Sequence, residues 1–361
     1  MHRRRWILSL LGSASALSTR NAPAQPAAAA PPLAFPRDHG AHPETRVEWW
    51  YATGALQAAD RRFGFQITFF RVATGFAERQ PSRFAVNQLL FAHAALSDLG
   101  QRRLRHDERI ARSGFGIAAA SVADTDVVLR DWRFRREGVG ERSRYLARMP
   151  ATGAGFGFEL ALETTQPVLL QGVDGLSRKG PRAEQSSRYY SQPQLAVTGT
   201  LSIDGVASAA SGGAWLDHEW SDSFLDADAV GWDWIGMNLD DGSALTAFRV
   251  RRRDGTALHA GGSFRRRGES ATDFGTDRVT FNALRRWTSA ATKATYPVEW
   301  GVETPAGHYT VKALFDSQEL DSRTSTGAIY WEGLSDLLDA DGRRVGGGYL
   351  EMTGYAAPLT L

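Results

Sequence analysis

The stretch Trp232-Asp233-Trp234-Ile235-Gly236-Met237-Asn238-Leu239, followed by Asp240-Asp241-Gly242 and then by Ser243–Arg251, reads as a β-hairpin. Aromatic and polar residues alternate along its first arm, as a half-buried strand requires. Asp-Gly supplies the positive backbone angles of a tight turn. The same theme recurs outward from it. Segments 63–70, 156–163, 195–202, 309–315, 329–331 and 349–355 are short and rich in aromatic or β-branched residues, and Asp204-Gly205 ends the third of them. Helical signals are scarce. Many antiparallel strands without crossover helices predict barrels or sandwiches. Barrels remove exposed edges, and 361 residues leave room for two. The expectation is an all-β chain of two consecutive antiparallel β-barrels, divided where Ser, Asp and Ala loosen the pattern at 221–230.

Composition narrows the class further. Hydrophobic residues make up 42% and charged residues 23%, which fits a folded chain and no disordered or membrane-spanning one. The formal charge of +2 is misleading, because residues 1–24 carry Arg3, Arg4, Arg5 and Arg20 and no acid; without them the balance is 2 − 4 = −2. A nucleic-acid partner therefore loses its electrostatic support. Those residues read as an export leader: arginines, an apolar run from Trp6 to Leu17 too short to span a bilayer, and Ala22-Pro23-Ala24 as a cleavage site. The paired arginines raise the twin-arginine route. Residues 25–41, with Ala27–Ala30 and Pro31-Pro32, read as a flexible tether. A periplasmic or secreted protein with no transmembrane span after leader removal is expected. Zero cysteines exclude disulfides, thiolate ligands and a cysteine nucleophile.

Chemistry is most concentrated in Trp215-Leu216-Asp217-His218-Glu219-Trp220 and in Glu48-Trp49-Trp50-Tyr51. If 215–220 is extended, Trp215, Asp217 and Glu219 share one face, and Leu216, His218 and Trp220 the other. Two carboxylates on one face beside tryptophan can share a proton, and desolvation raises the pKa of at least one. Such an acid could protonate an alkene or an ether oxygen while His218 or a second carboxylate manages water. Trp220, Trp232 and Trp234 could stabilise developing positive charge. A hydrogen-bonded seam between two domains would use the same residues without chemistry. Glu48 could equally pair with Arg46 at a barrel mouth, and His93 reads as a hydrogen-bonded core or lumen histidine. His218 cannot chelate one ion together with its strand neighbours, and His39 and His42 stand in a segment without an evident anchor. No metal and no organic cofactor are expected. GxSxG, Walker, Rossmann and HExxH patterns are absent.

His42-Pro43-Glu44, Glu48-Trp49-Trp50-Tyr51-Ala52-Thr53-Gly54, Phe91-Ala92-His93, Tyr189-Tyr190-Ser191, the 215–220 run, Gly231-Trp232-Asp233-Trp234 and Tyr330-Trp331-Glu332-Gly333 occur in that order. Together they resemble the carotenoid 1,2-hydratase and AttH-like family, from about His42 to the C-terminus. The resemblance implies two consecutive lipocalin-like β-barrels, here 42–225 and 226–361, with Asp217-His218-Glu219-Trp220 near their junction. Family hydratases add water across a terminal double bond of an acyclic carotenoid. His218 and Trp220 match residues implicated in that step. Glu219 stands where the hydratases usually have Asn, and the Tyr and Asp they place on a following strand have no counterpart near Leu245–Phe248.

The expected function is action on a hydrophobic isoprenoid or lipid-like substrate by acid-catalysed hydration or hydrolysis, as a cofactor-independent hydro-lyase or hydrolase. Asp217, His218 and Glu219 are the catalytic candidates. Glu48, Trp49, Tyr51, His93, Trp215, Trp220, Trp232, Trp234 and Trp331 are the substrate-binding candidates. The alternative is a periplasmic lipid or isoprenoid carrier using the same cavity without bond making. The partner expected is a hydrophobic small molecule, and the oligomeric state stays open at this stage.

Overall fold

The computed structural model describes residues 31–75, 82, 84–140, 142–222 and 225–359. The leader and residues 25–30 of the expected tether lie outside the described residues. The end of that tether is packed: a short 3-10 turn, Arg37–His39, carries a buried His39, and Ala41 and His42 are buried behind it.

The described chain is all-β, in two antiparallel sheets of 13 and 10 strands. The first runs from Arg103–Arg112 through Gln88–Asp98, Arg61–Ala73, Val47–Ala58, Val206–Ser221 and Ser186–Ile203 to the short strand Ala118–Ala120. It curls until its two ends meet: Arg103–Arg112 packs on Asp126–Leu129, and the Arg109 guanidinium lies 4.6 Å over the Trp132 ring. This sheet is a nearly closed barrel. Trp50, Phe65, Phe69, Trp132, Tyr145 and Phe158 fill its interior.

The second sheet corrects the expectation of two barrels. Its order runs from Thr272–Phe274 through Ala257–Arg265, Ala244–Arg252, Ala229–Leu239, Arg344–Met352 and Ala328–Leu338 to Thr280–Thr288, and those two end strands do not pair. The physical cause is local. Thr272–Phe274 has only three residues and turns at once into a 3-10 segment, Thr276–Arg278, so it offers no ladder long enough to close the sheet. Arg249 reaches across instead, with a hydrogen bond to the Phe281 carbonyl on the last strand and its guanidinium 4.7 Å over Trp300 on the neighbouring strand Thr295–Thr304. The open sheet wraps its own core of Tyr296, Val298, Trp300, Trp331 and Leu350.

The hairpin around Asp240-Asp241-Gly242 forms as the sequence requires, with Ala229–Leu239 paired to Ala244–Arg252 and Gly242 at φ 86°. The two sheets belong to one compact unit. Val47–Ala58 packs on Arg344–Met352, Val206–Ser221 on Ala229–Leu239, and Arg61–Ala73 on Ala328–Leu338. Tyr51, Trp215, Trp234, Phe248, Leu334 and Tyr349 form a third apolar cluster along this seam.

Candidate functional site

Strand register assembles the site. Across the first sheet, Ser191, Asp217, Tyr51, Thr68 and His93 stand side by side in one row. The next row on the same face holds Tyr189, Glu219, Trp49, Phe70 and Phe91. These side chains point out of the barrel, toward the second sheet. A matching row there places Glu332, Glu351, Trp234 and Phe248 on four adjacent strands. Between the rows lies a cleft of ≈ 320 Å³. Its walls carry Trp49, Tyr51, Tyr189, Trp232, Trp234 and Phe248, together with Asp217, Glu219, Glu332 and Glu351, and Glu48, Arg46, Arg71 and Lys179 border it as well.

Each carboxyl group has a different setting. Asp217 is buried; its Oδ1 accepts from Ser191 Oγ at 2.5 Å and Trp215 Nε1 at 2.7 Å, and its Oδ2 from the Tyr189 hydroxyl at 2.8 Å. Burial pushes its pKa up to about 7 in spite of those three donors. Glu219 pairs with Lys179 Nζ at 2.8 Å and accepts from the Ser187 hydroxyl. The buried Lys179 ammonium also lies 4.6 Å over the Tyr189 ring and 4.4 Å over Phe248.

Glu332 and Glu351 face each other across neighbouring strands. Burial, then the charge of Glu351, holds the Glu332 carboxyl well above the usual carboxylate range. Its Oε1 has no hydrogen-bond partner. The Tyr51 hydroxyl lies close enough to bear on its ionisation, but not in hydrogen-bonding geometry. Glu351 is partly exposed and lines the cleft. Burial pushes it up to about 8; Trp232 hydrogen bonding opposes the rise, and the Asp217 and Glu219 charges across the cleft add to it.

The opposite face of the same strands is a closed network inside the barrel. Glu48 Oε1 accepts from His42 Nδ1 at 2.8 Å and His218 Nε2 at 3.0 Å, while Arg71 Nε holds Oε2 at 2.7 Å. Burial would raise Glu48, but hydrogen bonds from His218 and His42 and the charges of His218 and Arg71 outweigh it and hold it below the usual carboxylate range. The His218 Nδ1–Tyr190 hydroxyl contact of 3.2 Å and the Tyr190–His39 Nδ1 contact of 2.8 Å extend the network. His42, Glu48 and His218 place one donor atom each within 4.8 Å of one another, close enough to gather round a cation. The Arg71 guanidinium on the same carboxylate and the imidazole hydrogen bonds to it fit a hydrogen-bonded hub better than a metal centre.

The sequence candidates therefore divide. Asp217, Glu219, Trp49, Tyr51, His93, Trp232 and Trp234 face the cleft, and Trp215 orients Asp217 from beside it. Burial, then nearby His106, lowers His93 to about 3; its ring bonds the Tyr330 hydroxyl at 2.8 Å and Ser325 at 2.9 Å. His218 faces the barrel interior, apart from Asp217 and Glu219, and reaches the cleft only through Glu48, which borders it. Trp220 is also inside, stacked on His42 at 3.7 Å. Trp331 lies in the core of the second sheet, donating to the Asp316 carbonyl at 2.6 Å, because its strand turns Tyr330 and Glu332 toward the cleft and Trp331 away. His39 and His42 are anchored by Tyr190 and Glu48, contrary to the reading of an unanchored segment.

Lys179 and Glu351 are not among the sequence candidates, and Glu332 enters there only as part of the Tyr330-Trp331-Glu332-Gly333 motif. A carboxylate among apolar strand neighbours, as in Tyr349-Leu350-Glu351-Met352, is the signal that could have found Glu351. A second cavity of ≈ 450 Å³ adjoins Phe248 and is lined by Gln171, Ser177, His259 and Asp273 among others. No helix among the described residues is long and apolar enough to cross a membrane.

This architecture defines a class of all-β protein in which a nearly closed barrel and an open sheet enclose an acidic, aromatic cleft. Within it, the chain belongs to the AttH-like family, whose model matches residues 26–355. It is similar to a Nitrosomonas europaea protein assigned as AttH, at 45% identity and TM-score 0.83, over 92% of this chain and 99% of that one. Kievitone hydratase from Nectria haematococca shares the fold at 14% identity and TM-score 0.66, over 91% and 94% of the chains. CghA with Sch210972 does so at 11% identity and TM-score 0.52, over 87% and 89%. No curated protein matches.

Proposed function

We propose that the cleft takes an isoprenoid or lipid-like substrate and adds water to it, or hydrolyses it, by general acid catalysis. The observation that carries this reading is the Glu332–Glu351 pair, two carboxyl groups on adjacent strands with raised pKa values, facing an aromatic cavity. Two such groups share a proton more readily than both ionise. A shared fold does not transfer an activity; the carboxyl groups support it here.

In the proposed hydration, the protonated member of the pair gives its proton to an alkene carbon, so that an O–H bond breaks and a C–H bond forms. Positive charge develops on the adjacent carbon beside the new carboxylate and the rings of Tyr51, Trp232 and Trp234. Water then forms the C–O bond and returns a proton to the carboxylate pair. Asp217, with Tyr189 and Trp215 bound to it, and Glu219, with Lys179, set the field across the cleft. His218 is a positioning residue acting through Glu48. The arginine-led leader supports action in the periplasm or outside the cell.

The test is incubation of the purified protein with acyclic isoprenoid alkenes in isotopically labelled water. Mass gain by one labelled water, lost in Glu332→Gln and Glu351→Gln, is the expected result. Retained binding of an unchanged ligand across a broad panel would replace the enzyme with a carrier, the reading that the largely apolar lining also supports.

A further inference from the structure

We propose that this cleft selects lipophilic amines: a protonated alkylamine places its head group between the Glu332–Glu351 pair and the rings of Tyr51, Trp232 and Trp234. The proposal rests on the cleft being a ligand site and is independent of hydration.

Charge is the first argument. Of the cations that line the cleft, Lys179 is engaged by Glu219, Arg71 by Glu48, and Arg46 is engaged as well. Asp217 has both oxygens occupied by neutral donors. The charges that bear on Glu332 and Glu351 are those of other carboxylates: Glu351 on Glu332, and Asp217 and Glu219 on Glu351. A ligand cation would supply the missing counter-charge.

Hydrogen bonding is the second, independent argument. Glu332, 2% exposed, lines the cleft with its Oε1 unpartnered. Gln66, also 2% exposed, lines it with an unpartnered Oε1, since its amide nitrogen is spent on Thr68 and Tyr330. The nearest donor, the Tyr51 hydroxyl, bears on the ionisation of Glu332 without reaching hydrogen-bonding geometry. Buried acceptors without donors are costly, and a ligand bearing N–H groups would satisfy them. A carboxylate or sulfate ligand would add acceptors and negative charge where both are already in excess. The aromatic walls favour a cation again, through their ring faces, and accept its alkyl chain.

The experiment titrates the full chain by calorimetry with octylamine, 1-octanol and sodium octanoate at pH 7.5. Octylammonium should bind roughly tenfold more tightly than octanol, with octanoate weakest. Equal affinity for amine and alcohol would overturn amine selection and leave the cleft as a ligand site; no binding by any of the three would overturn both. In Glu332→Gln the amine preference should shrink toward parity while octanol affinity persists, which also shows that the cleft is intact.

A second readout needs no variant. Glu332 and Glu351 face one another, Asp217, Glu219, Tyr51, Tyr330 and Tyr349, with Lys179 beyond Glu219. A cation placed among them should release protons, seen as a binding enthalpy that changes with the ionisation enthalpy of the buffer. Amine binding without proton release would overturn the placement of the head group.

Discussion

Strand Val206–Ser221 presents two environments one residue apart. On its inner face His218 and Trp220 join Glu48, His42 and Arg71 in a network where a guanidinium and two imidazoles hold one carboxylate. On its outer face Asp217 and Glu219 look onto a cleft where carboxyl groups outnumber cations. A carboxyl group is held below its ordinary pKa on one side, at Glu48, and above it on the other, at Asp217. Burial is common to both, so the difference lies in what each carboxyl is given as a partner. The inner face is arranged to hold the N-terminal segment on the barrel, and the outer face is left with capacity for a ligand.

The largest expected effect separates the two faces by stability. Arg71→Met leaves Glu48 buried without its guanidinium and should cost about 3–5 kcal/mol in urea unfolding. Glu332→Gln, which removes an unpaired buried acid of nearly the same shape, should cost far less or add stability. Similar losses in both would erase the distinction between a structural hub and a poised site. Next in size is turnover: Glu332→Gln and Glu351→Gln should each lower hydration about 10²–10⁴-fold, while Asp217→Asn mainly disturbs its three donors. Full activity in both glutamine variants would move the acid elsewhere in the cleft.

The faces should also respond oppositely to pH. Asp217 and Glu351 have folded values of about 7 and about 8, above their ordinary values of 3.8 and 4.5. Their protonated forms are favoured by folding, so this contribution is complete below about pH 4 and is lost as pH rises through 7 to 8. Glu48 has the reverse sign: its contribution is present above its ordinary value of 4.5 and is lost as pH falls through its depressed folded value. Unfolding free energy measured from pH 5 to 9 should decline, and Glu351→Gln should flatten that decline without changing the acid limb. An unaltered alkaline slope in the variant would assign it to other groups.

How much of this was legible in the sequence follows from what periodicity encodes. Alternation in 215–220 separated Asp217 and Glu219 from His218 and Trp220, and Asp-Gly marked the hairpin at 240–242. Register is a property of pairs of strands, and single-strand alternation does not contain it. The row Ser191, Asp217, Tyr51, Thr68 and His93 comes from five strands in two groups, 47–98 and 186–221, far apart in the chain. The facing of Glu332 and Glu351 lies in that register, and the structure turns Tyr330 and Glu332 toward the cavity and Trp331, a cavity candidate in the sequence, away from it. Closure is likewise a matter of the end strands. Strand-rich sequence after residue 229 reads the same whether or not a three-residue edge at Thr272–Phe274 can find a partner.

The smallest effect compares two tryptophans of similar burial. Trp220 stacks on His42 with an interplanar angle of 7°, inside the barrel and away from the cleft. Trp234 lies on the cleft wall, edge-on to Tyr51, with its Nε1 3.3 Å from the Tyr189 hydroxyl that holds Asp217. Trp220→Phe should therefore lower unfolding free energy by about 1 kcal/mol and leave ligand affinity alone. Trp234→Phe removes one indole N–H and part of a ring face from the cleft, so it should weaken ligand binding by roughly threefold with a smaller change in stability. Measured together by urea unfolding and calorimetric titration, the pair forms a crossed design in which each variant is the other's control. Ligand affinity that falls equally in both would mean that the barrel network and the cleft are coupled through the Val206–Ser221 strand, and that His218 serves the ligand as well as the fold.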